Sequence, residues 1–329
     1  MVAGILALTL VAGGCSENPL DAAPPTIEPA RPAQSPPTSA TAAGQVVPLA
    51  GSPLAAVVDT ATGSLVVLTP GTHATLTLVG RAGPPRVVAL QGPATAVAVD
   101  GLGSAYAATR GGFFTVDLAG GTSTSTAVPG QEDTDFTAIA RRADGRLVLG
   151  SADGSALTLA EDNSVAGAAD VFARVDAIVA QGDTAVVLDR SQTSVTEVNP
   201  DGSAGLALRA GLGATTIAAD ALDRVLVADT RGGQLLVFGV DPLIERQAYP
   251  VGGSPYGIAG STSLVWVSQT ATNTVVGYDL ATGIPVEKVR YPTVQQPNAL
   301  AFDDATDTLY VVSGAGGGVQ VIGNASGSR

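Results

Sequence analysis

Residues 254–283 read SPYGIAGSTSLVWVSQTATNTVVGYDLATG. An alternating apolar run closes at Gly260 and a polar turn follows. A second run occupies residues 264–268, then comes another polar turn, then a third run over residues 274–279. Apolar residues at period two, bounded by Gly, Ser, Thr and Asn, are the pattern of short antiparallel strands joined by tight turns. No segment of the chain carries a sustained helical period with caps.

The same grammar recurs along the chain. The first run of each unit closes at Asp59, Asp100, Arg141, Ala180, Asp220, Gly260 and Asp303, with successive gaps of 41, 41, 39, 40, 40 and 43 residues. The second run closes on Thr69, Thr109, Ser151, Asp189, Asp229, Gln269 and Ser313, at gaps of 40, 42, 38, 40, 40 and 44. The two columns keep step, and every member of the second is polar. In the first unit the four stretches are LAAVV, SLVVL, ATLTLV and RVVAL. Four strands in about 41 residues, repeated seven times, predict an all-β, seven-bladed β-propeller with four antiparallel strands per blade.

The chain ends fit a closed ring. The last unit offers only three strands, NALAF, TLYVV and GVQVI, whereas a surplus strand, Gln45-Val46-Val47-Pro48-Leu49, precedes the first. Val46 lies 13 residues before Asp59, as Val87 lies 13 before Asp100. The leading strand therefore reads as the displaced fourth strand of the last blade. Pro48 suits an outermost edge, where a missing N–H harms least.

These residues carry a resemblance. Residues 254–283 resemble the YVTN-type repeat of bacterial propeller proteins, and PNALAFDDATDTLYVVSG, residues 297–314, resembles it too. The likeness spans roughly residues 45–325. Residues 2–12 form an apolar run too short to cross a bilayer and of the length of a secretory leader. The run ends in Ala12-Gly13-Gly14 before Cys15, the sole cysteine. This is similar to a bacterial lipobox, in which the Cys thiol takes a diacylglycerol and the chain is cut before it. With the tether described next, the whole is similar to mycobacterial, hence actinobacterial, conserved lipoproteins of the LppL kind. The resemblance implies export, a lipid anchor on Cys15 (thioether diacylglycerol and palmitate) and a propeller held outside the cytoplasmic membrane in the cell envelope. It implies no particular reaction. More than one acyl chain is needed for stable anchoring, and a processed lipoprotein carries two or three.

The expected organisation is a leader over residues 1–14, a tether over 15–44, the propeller over 45–325 and a tail over 326–329. The tether is rich in Pro, Ala, Ser and Thr and has no hydrophobic period, so it reads as a semi-stiff leash. Thirty residues span roughly 30 Å as a coil and about 90 Å fully extended.

Composition narrows the chemistry. Of 329 residues, 45% are apolar, which is ample for a core, and 14% are charged. A net charge of −13 argues against nucleic acid as a partner, because phosphate binding needs clustered Lys and Arg. One Cys excludes an intrachain disulfide, and one His, His73, removes most catalytic and zinc constellations. No G-x-S-x-G elbow, G-x-G-x-x-G or P-loop is present. His73 falls in a Gly-Thr-His turn and reads as exposed. Trp266, the only tryptophan, reads as blade packing. Asp59, Asp100, Asp220 and Asp303 come from separate blades and read as turn caps, since Asp binds nearby backbone N–H groups, and not as a calcium set. No cofactor and no metal are called for.

One face of the disc collects the turns between second and third strands, with Arg110, Asp153, Asp189, Arg190, Asp229, Arg231 and Gln269. The loops entering each inner strand join them, with Asp135, Tyr256 and Asn298. Propellers commonly bind partners there, because loops from all blades converge. Mixed charge with few aromatics favours a polar or peptide ligand. The expected function is a binding or scaffold module for an envelope protein, peptide or glycan. The alternatives are a hydrolase or lyase using channel carboxylates, and a purely structural envelope protein.

Overall fold

A computed structural model describes residues 25–327; the leader and Cys15 lie outside the described residues. The described chain is all β, seven sheets of four antiparallel strands each. We number the blades in chain order by their inner strands: Ala55–Asp59, Ala96–Val99, Phe136–Arg141, Ala177–Gln181, Ala214–Ala219, Pro255–Gly260 and Pro297–Asp303.

Blades 1 to 6 take their four strands consecutively. Blade 7 takes three from the C-terminus and its outer strand from the N-terminus. Gln45–Val47 pairs antiparallel with Val319–Gly323, with Gln45 opposite Val321, Val46 opposite Gln320 and Val47 opposite Val319. The strand is shorter than the sequence pattern suggests and stops before Pro48, which has no N–H to give a ladder.

The period-two pattern places one side of each blade against each neighbour. Seven apolar clusters result, one per blade junction. The closing junction packs Leu65, Val67 and Val79 of blade 1 against Tyr310, Val312 and Val319 of blade 7, with Val47 and Leu49 joining them. Trp266 is fully buried in the junction of blades 6 and 7, its ring stacked on Phe302 at 5.6 Å and Tyr291 at 6.4 Å.

Polar staples bridge neighbouring blades. On the face where partners were expected, here called upper, the Thr95 hydroxyl donates to the Phe136 carbonyl at 2.7 Å and that of Ser268 to the Pro297 carbonyl at 2.6 Å. On the lower face Gln181 Nε2 donates to the Asp220 and Arg224 carbonyls, both at 2.7 Å, and Arg81 pairs with Asp303 at 3.1 Å across the closing junction. The Asp column caps turns as its position suggests. Asp59 accepts from Thr62 N, Asp100 from Leu102 N and Ser104 N, Asp220 from Leu222 N and Arg224 N, and Asp303 from Ala305 N.

Residues 25–44 form no strand, as their composition suggests, yet they are not a free leash. They lie along the upper face and run first over the loops of blades 4 and 5 and then over those of blades 6 and 7 before entering the closing strand. A Pro-rich chain loses little entropy on being held extended, so a few fixed hydrogen bonds suffice to seat it.

Candidate functional site

The upper face divides into two sectors. Over blades 4 to 7 lies the seated segment, held mostly through its main chain. At blade 4 the Ile27 N–H donates to the Ser191 carbonyl at 2.8 Å, and Arg190 Nη2 donates to the Ala30 carbonyl at 2.5 Å. At blade 5 Arg231 Nη2 donates to the Glu28 carbonyl at 2.6 Å. At blade 6 the Ala33 N–H donates to the Ser254 hydroxyl at 3.0 Å, and Asn273 Nδ2 donates to the Pro36 carbonyl at 2.8 Å.

The loop entering blade 7 supplies two amides. Gln296 accepts from Ser35 N at 2.9 Å and donates to the Ala33 carbonyl at 3.1 Å, while Gln295 donates to the Ser35 carbonyl at 3.1 Å. Buried Gln320 donates to the Ala43 carbonyl at 2.8 Å, and Ala43 N–H donates to the Pro292 carbonyl at 3.1 Å. Only the Ser35 hydroxyl contributes a side chain of the segment to these contacts. It donates to the Thr270 carbonyl at 2.6 Å and accepts from Gln296 N at 3.1 Å.

Two small residues anchor the segment. Ala30 and Ser35 are 6% and 4% exposed, while Glu28, Arg31 and Gln34 point to solvent. Beneath Ala30 sits Gly213. A Cβ there would stand 3.0 Å from the Ala30 methyl, so the floor admits neither a larger anchor nor a larger residue below it. A cavity of about 420 Å³ opens around the first anchor, bounded by Glu28, Pro29, Ala30, Arg31 and Ala33 of the segment and by Thr230, Arg231 and Ser254 of the disc.

The residues expected on this face have different fates. Arg190 and Arg231 hold the segment. Asp189 and Asp229 are fully buried and tie their own turns to the loops entering the same blades: Asp189 accepts from Gln192 N–H in its turn and from Ala173 and Arg174 N–H in the entry loop, and Asp229 from Gly232 in its turn and from Leu212 and Gly213 in the entry loop. Gln269 is buried and binds Arg290 and Thr274 through its carbonyl oxygen. Asn298 accepts from Gln296 Nε2 at 3.0 Å and so steadies the amide that grips the segment. Tyr256 is half-buried, and its carbonyl accepts the Thr216 hydroxyl.

In the other sector, Arg110 spans Asp133 and Asp135 at 3.0 Å each, and the hydrogen bond to Asp133 is the first reason its pKa is raised. Asp153 accepts the Ser151 hydroxyl and is otherwise exposed. Sequence reasoning missed Ser254, Asn273, Gln295, Gln296 and Gln320. Their amides and hydroxyl look like ordinary loop residues until the segment they grip is seen in place.

The inner strands surround a central channel with a cavity of about 650 Å³. Its lining is mostly Ala, Val and Ile; Arg141 and Asp176 are the charged members. His73 stands exposed in its turn on blade 1, as expected. Among the described residues no group of three or more His, Cys, Asp or Glu is placed to hold a metal.

Asp176, at the upper end of the channel, has its pKa raised because burial outweighs the Arg190 N–H and the nearby Arg charges. A folded-state pKa above the unfolded one means that the ionised carboxylate weakens the fold near neutral pH. That penalty fades as pH falls through the raised value and is gone below the ordinary carboxylate range. Asp176→Asn, whose amide oxygen still accepts from Arg190 N–H, is expected to melt higher than wild type near neutrality. The difference should vanish in acid; a constant or growing gap would contradict the assignment.

No family model matches this chain, and no curated protein matches it. Solved structures do. A chain of Kuenenia stuttgartiensis hydrazine synthase aligns at 13% identity with a TM-score of 0.68, covering 87% of this chain and 98% of that one. A chain of the mitotic checkpoint complex aligns at 10% identity and 0.70, covering 90% and 98%. Virginiamycin B lyase from Staphylococcus aureus aligns at 12% identity and 0.67, covering 82% and 95%. At such identities the likeness concerns architecture alone: the chain is a seven-bladed β-propeller.

Proposed function

We propose that this protein is an exported propeller held at the outer side of the cytoplasmic membrane by a lipid on Cys15, and that it serves as a binding and scaffold module for an envelope protein or peptide. The supporting observation is the chemistry of the upper face over blades 4 to 7. Guanidinium, amide and hydroxyl groups are fixed there at the spacing of an extended main chain. Such donors and acceptors suit a polypeptide better than a glycan, whose recognition leans on aromatic platforms: of the residues expected on this face Tyr256 is the one aromatic, and it is half-buried. The lyase reading has the fold of virginiamycin B lyase in its favour. Against it, Asp176 is the one carboxylate lining the channel, and the Thr95 and Thr137 hydroxyls there donate to carbonyls of the neighbouring blades.

Two measurements test the proposal in cells. Alkynyl-palmitate should label the wild-type protein and leave Cys15→Ser unlabelled and released from the membrane fraction. Photo-crosslinking residues at Gln34 and Asp153 on the upper face should yield partner adducts, whereas the same probes at Leu102 and Ile284 on the lower face should not. Label retained by Cys15→Ser removes the anchor, and adducts confined to the lower face remove the binding surface.

A further inference from the structure

We infer that the upper face of blades 4 to 7 is a binding groove for an extended Pro/Ala-rich peptide, and that residues 25–36 occupy it in cis as an exchangeable stand-in for a partner's segment. The inference rests on the binding-module reading and names its ligand class.

Three observations carry it. First, the grip is on the main chain. Arg190, Arg231, Gln296 and Asn273 donate to carbonyls, and Ser254 and Gln296 accept N–H groups, so the groove recognises an extended backbone whatever most side chains are. Second, selection is confined to two points. Ala30 rests on Gly213, and Ser35 is enclosed between the Thr270 carbonyl and Gln296 N–H. A ligand therefore needs small residues five positions apart, the second with a hydroxyl. Prolines suit the remaining positions other than 27 and 33, whose N–H groups donate to the Ser191 carbonyl and the Ser254 hydroxyl, since they stiffen the chain and ask for no acceptor. Third, the present occupant does not fill the groove. A cavity of about 420 Å³ lies open between Glu28, Pro29, Ala30, Arg31 and Ala33 of the segment and Thr230, Arg231 and Ser254 of the disc, so a peptide with a bulkier residue beside it gains contacts that this segment lacks.

A tethered occupant competes at high effective concentration, so a partner must bind better than the native segment or meet a chain whose segment has been drawn off. The fold permits that release. Residues 25–36 lie upstream of the closing strand, so the segment can lift away while Gln45–Val47 stays paired.

The test uses the full chain. The double substitution Ala30→Arg/Ser35→Arg places two guanidinium groups where the floor admits a methyl and a hydroxyl, and should eject the segment. A fluorescein-labelled peptide of residues 25–37, PTIEPARPAQSPP, is titrated against wild type and this variant and followed by anisotropy. The ejected variant should bind it, and wild type should bind at least about tenfold more weakly because its groove is filled. Adding Gln296→Ala to the ejected variant, or Arg at the Ser35 position of the peptide, should abolish binding. A variant that keeps the melting temperature of the ring but binds no peptide would overturn the inference, as would equal binding to wild type.

Hydrogen exchange on the wild-type chain gives an arm that no variant can spoil. The N–H groups of Ile27, Ala33 and Ser35 should exchange through local opening, faster than those of Val66 and Val67 in blade 1. Exchange of both sets only with global unfolding would make the segment a permanent part of the ring and end the proposal. Peptide binding without any cellular adduct would instead leave the groove standing and count against the envelope partner.

Discussion

Gly44→Val is expected to unzip the closing strand and lower the melting temperature of the whole ring by about 10 °C. Gly44 sits at φ +72°, a conformation that a β-branched residue adopts only at a cost of about 1–2 kcal/mol. The new Cβ would also press into the Val321 carbonyl of the strand that Gln45–Val47 pairs with. Relief requires the N-terminal strand to move off. That loses the ladder and the contacts of Val47 and Leu49 with the junction of blades 1 and 7. With three residue pairs and two apolar side chains displaced, the total loss is on the order of 4 kcal/mol. For a domain of this size each kcal/mol moves the midpoint by roughly 2–4 °C. Gly283→Val is the control: its φ is +79°, but nothing lies within 4 Å of the added Cβ. Calorimetry that finds the two variants melting together would show that the closing strand does not hold the ring.

Arg142→Met is expected to cost about 3 kcal/mol, with Arg142→Lys recovering only part of it. Arg142 is 1% exposed and has no carboxylate within ion-pair distance among the described residues. Its guanidinium instead donates to three successive carbonyls of the outer turn of blade 4: Val198 at 2.8 Å, Asn199 at 2.7 Å and Pro200 at 3.2 Å. Burial lowers the Arg142 pKa, so the charge is held at some expense, and the three acceptors offset it. Methionine fills the volume and removes the guanidinium donor from all three carbonyls, of which Asn199 keeps the Gly202 N–H. Lysine keeps the charge, but a single ammonium cannot match the planar fork. Urea midpoints give the cost, and amide exchange at Asn199 and Gly202 should rise first. A methionine variant as stable as wild type would mean that the burial penalty of the charge cancels its hydrogen bonds.

Asp189 and Arg190 are neighbours in one turn, and they show how far reading along the chain reaches. Repeat arithmetic alone places both on the upper face. Asp189 turns inward to bind N–H groups of its own turn and of the loop entering the same blade, whereas Arg190 crosses to a carbonyl of the N-terminal segment, 160 residues away. Local sequence holds no sign of that difference, because it depends on what the folded disc brings alongside each side chain. The same holds for residues 25–44. Composition correctly denies them a strand or helix, but composition cannot show that Gln295 and Gln296 wait for them.

The number of blades, their four-strand grammar and the crossed closure follow from spacing and alternation along the chain, because a propeller repeats one local unit and each unit declares its own turns. Seating the Pro-rich segment, the staples between blades, the buried Arg142 and the half-filled groove were decided by tertiary structure. Each joins groups from different blades or from the two ends of the chain, and only closure of the ring sets their distance.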